Sequence, residues 1–216
     1  MNARRILIIL GGIYHDFEGF AGAMRRVLEK AGHTVEATYD LDTLLTLDQG
    51  LYDVVLSYTS FSRHREGRDD THPETLSPAQ TDSLVRWVRS GGALLGVHSA
   101  TVSGAPNPAL TALWGGLFVE HPPQFSFMVY PMRHRHPITA DVDAFAVKDE
   151  FYIQDYDPAV NVHMVALDRG VAHPMVWTRM EGEGRVAYIA PGHHEGIWNL
   201  EPFQRLVLQA IDWLTE

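Results

Sequence analysis

The chain has 216 residues, of which 45% are hydrophobic and 20% charged, as in ordinary globular proteins. It contains no cysteine, which excludes disulfides, thiolate zinc sites and cysteine nucleophiles. The formal net charge of -10 argues against nucleic acid and anionic membranes as partners, because both require a basic face.

Length and segment pattern together predict one domain over residues 1–216, located in the cytoplasm. The apolar run Ile6 to Leu10 is too short for the core of a signal peptide. No stretch approaches the roughly 20 apolar residues of a membrane-spanning helix. A chain of this length usually folds around a single core, and neither repeats nor linkers divide it. The sequence leaves open whether the chain forms a homo-oligomer.

The first half alternates strand patterns with amphipathic helix patterns. Arg5 to Leu10 is an apolar, β-branched run that stops at Gly11-Gly12, which is typical of a buried parallel strand followed by a glycine turn. Gly32 ends the first predicted helix, which covers 17–31, and Ser77 caps the third, which covers 78–89. The alternation predicts an α/β fold with a doubly wound, mainly parallel sheet flanked by helices. Helices are predicted at 17–31, 41–47 and 78–89, with further strands at 33–39, 52–58 and 93–97.

The second half is richer in predicted strands. Within the first half, the polar stretch 59–78 between the third predicted strand and the third predicted helix indicates a long loop. The apolar face of the segment 201–214 predicts a final amphipathic helix. Extended segments are predicted at 125–132, 144–148, 162–167, 175–179 and 184–190.

Ligands of doubly wound sheets bind beyond the carboxyl ends of the strands. Three predicted strand ends, at 11–16, 58–62 and 98–101, carry polar residues. We expect His15 to contact a ligand and Asp16 to cap the following helix.

Histidine is unusually frequent, with 12 residues in the chain. A residue before proline is held in extended geometry, so a His-Pro pair places an imidazole on a stiff, non-helical segment. Such a ring either bonds to nearby backbone or lines a site, and we expect some members of the set to do the latter. The pairs are at His72, His121, His136 and His173.

The segment Gly96 to Thr101 has the position of a nucleophile elbow, a tight turn from strand to helix. His98 occupies the elbow and is a candidate catalytic residue. Ser99 beside it is the candidate nucleophile of a Ser-His-acid triad. The small residues that a serine elbow requires are missing, because Ala100 and Thr101 follow.

Two further segments supply carboxylates and imidazoles. Asp149 and Glu150 precede aromatic residues, which makes them candidates for a raised pKa and for general acid or base work, although a solvated turn is the alternative. His193 and His194 follow a predicted strand and suit either a divalent metal such as zinc or an acid–base pair. Adjacent side chains on an extended segment point to opposite sides, so we expect only one of the two to face the site. The candidate metal ligands are His98, His193 and Glu150.

Aromatic side chains are the candidate surface for a sugar ring. Tyr152, Trp177 and Trp198 offer flat apolar faces on which a sugar stacks, although packing in the core is the more frequent fate of tryptophan. Together with His15 and His121, they are the candidate substrate-binding residues.

A succession of short motifs runs through nearly the whole chain. The segments are Gly12 to Asp16, Tyr52 to Val55, Gly96 to Ala100, Gly115 to Phe118, His121-Pro122, His136 to Ile138, Asp149 to Tyr152, Pro174 to Arg179, Gly184 to Val186, Gly192-His193 and Trp198. In this order the segments resemble the ThuA-like (trehalose-utilisation) family, which is similar in fold to class I glutamine amidotransferases. The resemblance implies a flavodoxin-like core.

The resemblance implies a carbohydrate ligand but not the amidotransferase reaction. Amidotransferases use an elbow cysteine, and this chain has His98 there, so glutaminase activity is excluded. His193 and Glu195 keep the spacing of the assisting histidine and glutamate. Many family members have His-Asp where this chain has His193-His194, which leaves Glu195 as the substitute acid.

The resemblance also implies a place in a metabolic route in which a disaccharide such as trehalose is first oxidised to a 3-keto form. The proton beside a sugar carbonyl is acidic, so imidazoles and a carboxylate, with or without a divalent metal, suit isomerisation, elimination or hydrolysis. We therefore expect an isomerase, lyase or hydrolase of a sugar derivative. The alternative is a non-catalytic domain that binds a small ligand or has a regulatory role.

Overall fold

A computed structural model describes residues 2–64 and 71–216. The predicted loop 59–78 lies partly outside the described residues. The strands are β1 (Arg5–Gly12), β2 (Thr34–Thr38), β3 (Val54–Ser60), β4 (Ala93–Val97), β5 (Gly116–Glu120), β6 (Phe125–Pro131), β7 (Phe145–Asp149), β8 (Ile153–Tyr156), β9 (Asn161–Asp168), β10 (Val171–Glu181) and β11 (Gly184–Ile189). The helices are α1 (Phe17–Lys30), α2 (Pro78–Arg89), α3 (Pro108–Trp114), α4 (Glu195–Trp198) and α5 (Glu201–Leu214), with 3-10 helices at Leu41–Gln49, His98–Thr101 and Pro137–Thr139.

Nine strands form one sheet in the order β2-β1-β3-β4-β11-β10-β9-β6-β7. Neighbours from β2 to β11 are parallel, and those from β11 to β7 are antiparallel. Strands β5 and β8 form a separate antiparallel pair. The flavodoxin-like fold class predicted from the sequence is confirmed, and an antiparallel extension widens its sheet.

The central strands are buried along their length, which explains their continuous apolar runs. On α1, the predicted apolar face packs Phe20, Met24 and Leu28 into the core. Asp16 caps this helix as expected, because its carboxylate accepts a hydrogen bond from the Gly19 amide at 2.8 Å.

Four strands and α-helices were absent from the sequence-based prediction: α3, α4, β5 and β8. All are short, with seven, four, five and four residues, so their periodicity gives little signal. The predicted helix at 41–47 is a 3-10 helix that extends to Gln49.

Strands β1, β3, β4 and β11 all end at the same edge of the sheet, because they are parallel. Four successive antiparallel pairings make β7 run in the same direction as β11, so β7 ends at this edge too. The segments that follow these strands carry the candidate residues. Among the described residues, none of the helices is long and apolar enough to span a bilayer.

Candidate functional site

Four side chains from four strand ends converge at this edge. His15 follows β1, His98 follows β4, Glu150 follows β7 and His193 follows β11. One ligand atom from each lies within 4.8 Å of those of the other three. We call this set the histidine–glutamate centre. It contains every residue that the sequence proposed as a metal ligand, and it adds His15.

Glu150 lies between the imidazoles. Its Oε2 atom is 3.3 Å from Nε2 of His98 and 3.3 Å from Nδ1 of His193. Its Oε1 atom is 3.7 Å from Nε2 of His121, a half-exposed residue of a His-Pro pair. The carboxylate therefore has one oxygen in the centre and the other directed towards His121.

Backbone carbonyl groups orient two of the rings. Nδ1 of His15 donates to the Ile13 carbonyl at 3.1 Å, and Nδ1 of His98 donates to the Ala190 carbonyl at 2.8 Å. Each ring then presents its Nε2 atom to the centre, the arrangement by which outer-shell partners fix a metal-binding histidine. Nε2 of both rings and Nδ1 of His193 are buried, and none of the three makes a well-directed hydrogen bond, although two of them lie 3.3 Å from the Glu150 carboxylate.

The backbone at His98 explains how the ring reaches the centre. Its φ angle is 49°, in the left-handed region that few residues other than glycine adopt. This is the tight strand-to-helix turn that the sequence predicted as an elbow. The turn projects a fully buried imidazole over the end of the sheet.

Asp149 is fully buried and holds the loop that carries His193. Its carboxylate accepts hydrogen bonds from the amides of Gly192 at 2.7 Å, Glu150 at 2.9 Å and His193 at 3.3 Å. The sequence proposed Asp149 and Glu150 together as candidate acids or bases, and the structure gives Asp149 the different role of supporting this loop.

Aromatic residues form a wall beside the centre. The Tyr152 ring stacks on His98 with centroids 4.1 Å apart. The Tyr58 hydroxyl and the Trp198 indole both donate to the Gly192 carbonyl, at 2.9 and 2.6 Å. This packing fixes the turn before His193.

Burial and mutual contact shift the ionisation of the centre. Burial, followed by the neighbouring His98, lowers the pKa of His15 to about 3. Burial alone would raise the pKa of Glu150, but the imidazoles of His193 and His98 outweigh it and hold that pKa below its ordinary value, so the raised pKa expected from the sequence is wrong for Glu150. Burial opposes and Glu150 favours the charged form of His193, and the carboxylate prevails, so its pKa is raised.

A cavity of about 410 Å³ opens onto the centre. Its wall includes His15, Glu150 and His193, together with His121 and Tyr152. The volume lies within the usual range of small-molecule sites. A larger hollow of about 880 Å³ lies at the opposite edge of the sheet and contains none of the candidate residues.

The sequence matches the model of the ThuA family, described as trehalose utilisation, over residues 5–214. The chain belongs to the ThuA family. This membership supports a role related to carbohydrate utilisation. A search of curated proteins found no match.

Solved structures confirm the fold of this ThuA-family chain. A ThuA-like protein from Parabacteroides merdae superposes with a TM-score of 0.78 at 17% identity, covering 99% of this chain and 90% of that one. A cytoplasmic protein from Salmonella typhimurium LT2 gives 0.70 at 13% identity, with 98% and 100% covered. A β-galactosidase from Bacillus circulans gives 0.63 at 11% identity, covering 98% of this chain and 31% of the enzyme.

Three predicted site residues of the ThuA-family chain need correction. Ser99 is fully buried and its hydroxyl has no hydrogen-bond partner, so no triad is formed among the described residues. Trp177 is fully buried and donates to the Trp114 carbonyl at 2.9 Å, so it packs in the core and offers no face to a sugar. Trp198 is also buried, and its contribution is the hydrogen bond to Gly192.

The structure also separates His193 from its neighbours. His194 turns away and bonds through Nε2 to the Lys148 carbonyl at 2.9 Å, as the alternation of side chains predicted. Glu195 is exposed on α4 and accepts a hydrogen bond from Asn199, so it does not substitute as the acid of the site. Glu150 is the carboxylate of the centre.

Proposed function

We propose that this ThuA-family protein is a metal-dependent enzyme that acts on an oxidised sugar, such as a 3-keto derivative of trehalose. The observation that supports this most directly is the set of three buried imidazole nitrogens beside Glu150, none of which makes a well-directed hydrogen bond. Leaving buried polar atoms unsatisfied is costly, and a bound cation would satisfy all three.

The donor set fits a divalent metal. Three imidazoles and one carboxylate are ligands that zinc and related metals accept. One ligand atom from each of the four residues lies within 4.8 Å of those of the other three, so the set could hold a single cation. His15, His98, Glu150 and His193 are the residues that would hold it, and a metal there would supply polarisation of a substrate carbonyl.

The residues around the centre suit the rest of such a reaction. Polarising a ketone makes the C–H bond on the adjacent carbon more acidic, so a nearby base is needed to accept that proton. His121 lines the cavity, is half-exposed and lies outside the set of four, which suits it for this transfer. Phe118 also lines the cavity and offers an apolar face to a sugar ring, whereas Tyr152, which the sequence proposed for that contact, is buried and stacks on His98.

The test is an NMR time course of the purified protein with 3-keto-trehalose, with added zinc and with a chelator. We expect conversion that the chelator abolishes, and the product names the reaction. His98→Asn should retain the fold, because asparagine tolerates the left-handed backbone, and should lose turnover. His194→Gln is the matched control, because His194 lies outside the centre.

Three other outcomes would change the proposal. Conversion that survives chelation would show acid–base chemistry by histidine and glutamate without a metal. Conversion by His98→Asn at the wild-type rate would remove the centre from the reaction. Zinc binding without conversion of the sugar would favour a non-catalytic binding domain.

A further inference from the structure

A hollow of about 510 Å³ lies at the end of β6, at the edge of the sheet opposite to the histidine–glutamate centre. The strand β6 is antiparallel to β7, and β7 ends beside the centre, so β6 ends far from it. The hollow is lined by residues 131–137 and 139–141, which we call the basic loop. It contains the pair His136-Pro137, which the candidate site does not use.

The basic loop concentrates positive charge in a chain that is strongly acidic overall. Arg133, His134, Arg135 and His136 are consecutive, and all four line the hollow. Neither arginine forms an ion pair or hydrogen bond with any residue in the described ranges 2–64 and 71–216. Among the described lining residues, Asp141 is the only acidic one.

Hydrogen bonds and ring stacking hold the loop to the sheet. His134 Nε2 and His163 Nδ1 are 3.0 Å apart, and His163 Nε2 is 2.7 Å from the Thr178 hydroxyl. The His136 ring stacks on His163 with centroids 3.9 Å apart, and the Met132 amide donates to the His163 carbonyl at 2.8 Å. The loop is therefore preorganised around a buried residue of β9.

We propose that the basic loop is a binding site for a phosphate-type oxyanion. Two guanidinium groups carry permanent charge and match phosphate oxygens with paired N–H donors. A neutral imidazole still offers one N–H donor to an anion, so anion binding does not require a charged histidine. The site is remote from the histidine–glutamate centre, so its ligand is distinct from the molecule that reacts there.

The test is a titration of the purified protein with inorganic phosphate in a phosphate-free buffer, followed by calorimetry and by the NMR signals of the histidine rings. We expect saturable binding that shifts the signals of His134 and His136. The double variant Arg133→Gln, Arg135→Gln should bind at least about tenfold more weakly, because each lost guanidinium removes a charged hydrogen bond. The control is Arg25→Gln, Arg26→Gln, which removes the same charge from the exposed face of α1.

A second arm uses glucose 6-phosphate in place of inorganic phosphate. Tighter binding of the monoester than of phosphate would identify a phosphorylated sugar as the source of the anion, and equal or weaker binding would identify free phosphate. The proposal is overturned if phosphate shows no saturable binding. It is also overturned if the two double variants weaken binding equally, because the effect would then be one of net charge alone.

Discussion

The left-handed backbone at His98 is the clearest mark of function on a single residue. This conformation costs a non-glycine residue roughly 1–2 kcal/mol. The surrounding structure maintains it, since Gly192 packs against the turn, where an added Cβ would lie 3.2 Å from that of His98. Strain of this kind is retained where geometry matters more than stability. At this residue the strained turn places the His98 imidazole in the histidine–glutamate centre.

Asp149→Asn tests the support of the His193 loop. The variant replaces an acceptor by an NH₂ group facing amide donors, so we expect a loss of about 2 kcal/mol in the free energy of unfolding. Zinc affinity should fall by about 10- to 100-fold, as for other outer-shell residues. Urea unfolding and calorimetric zinc titration measure the two effects. Asp155→Asn, at an exposed position of β8, is the control and should change neither.

The pKa of His15 predicts a pH dependence of stability in the metal-free protein. The folded-state pKa is about 3, against an ordinary value of 6.5. Between these values the unfolded chain binds a proton that the folded chain does not, so stability rises with pH up to about 6.5 and is then complete. Urea unfolding at several pH values in a chelator measures the slope. In His15→Gln the rise should be smaller, and an unchanged slope would contradict the burial of a neutral imidazole.

At the scale of elements, β4 and α3 pack closely because Gly96 has no side chain. An added Cβ at Gly96 would lie 2.7 Å from the Trp114 ring and 3.1 Å from Ala100. The close approach allows the Trp114 ring, at the end of α3, to pack on the strand that leads into the elbow. A helix of seven residues depends on such packing, because isolated helices of this length are unstable.

Gly96→Ala should therefore destabilise the protein by about 1–3 kcal/mol through overpacking. Gly22→Ala on α1 is the matched substitution, since its Cβ would meet only the Arg26 side chain at an ordinary 3.6 Å. That variant should stabilise by about 0.5–1 kcal/mol, because alanine loses less entropy in a helix. Thermal unfolding of both variants measures the difference, and two effects of the same sign would refute this account of the β4–α3 contact.

At the scale of the whole molecule, the centre joins four distant parts of the chain. A metal that binds only the folded state should therefore stabilise the entire fold. At 100 times its dissociation constant, zinc should add about 2.7 kcal/mol and raise Tm by roughly 5–10 °C. Thermal unfolding across a zinc series measures the shift. His98→Asn should lose it, and an equal shift in that variant would place the zinc elsewhere.

The sequence predicted much of the parallel half of the fold. Buried apolar runs at β1, β3 and β4 and the caps at Asp16 and Ser77 are local features, readable from neighbouring residues. It did not predict α3, α4, β5 or β8, whose few residues are ordered by tertiary packing. Single-domain organisation, the cytoplasmic location and the carbohydrate ligand remain predictions.

For the site, the sequence could predict which residue types take part, but it could not predict which of those side chains come into contact. The sequence alone identified His98, Glu150 and His193 as candidates, because strand-end histidines and carboxylates suit chemistry in a doubly wound sheet. It excluded cysteine chemistry outright. Only the tertiary structure added His15 to the same centre, gave Asp149 its role and removed Ser99 and Trp177. The physical reason is that burial and the pairing of ring nitrogens depend on strands that are distant in sequence and adjacent only after folding.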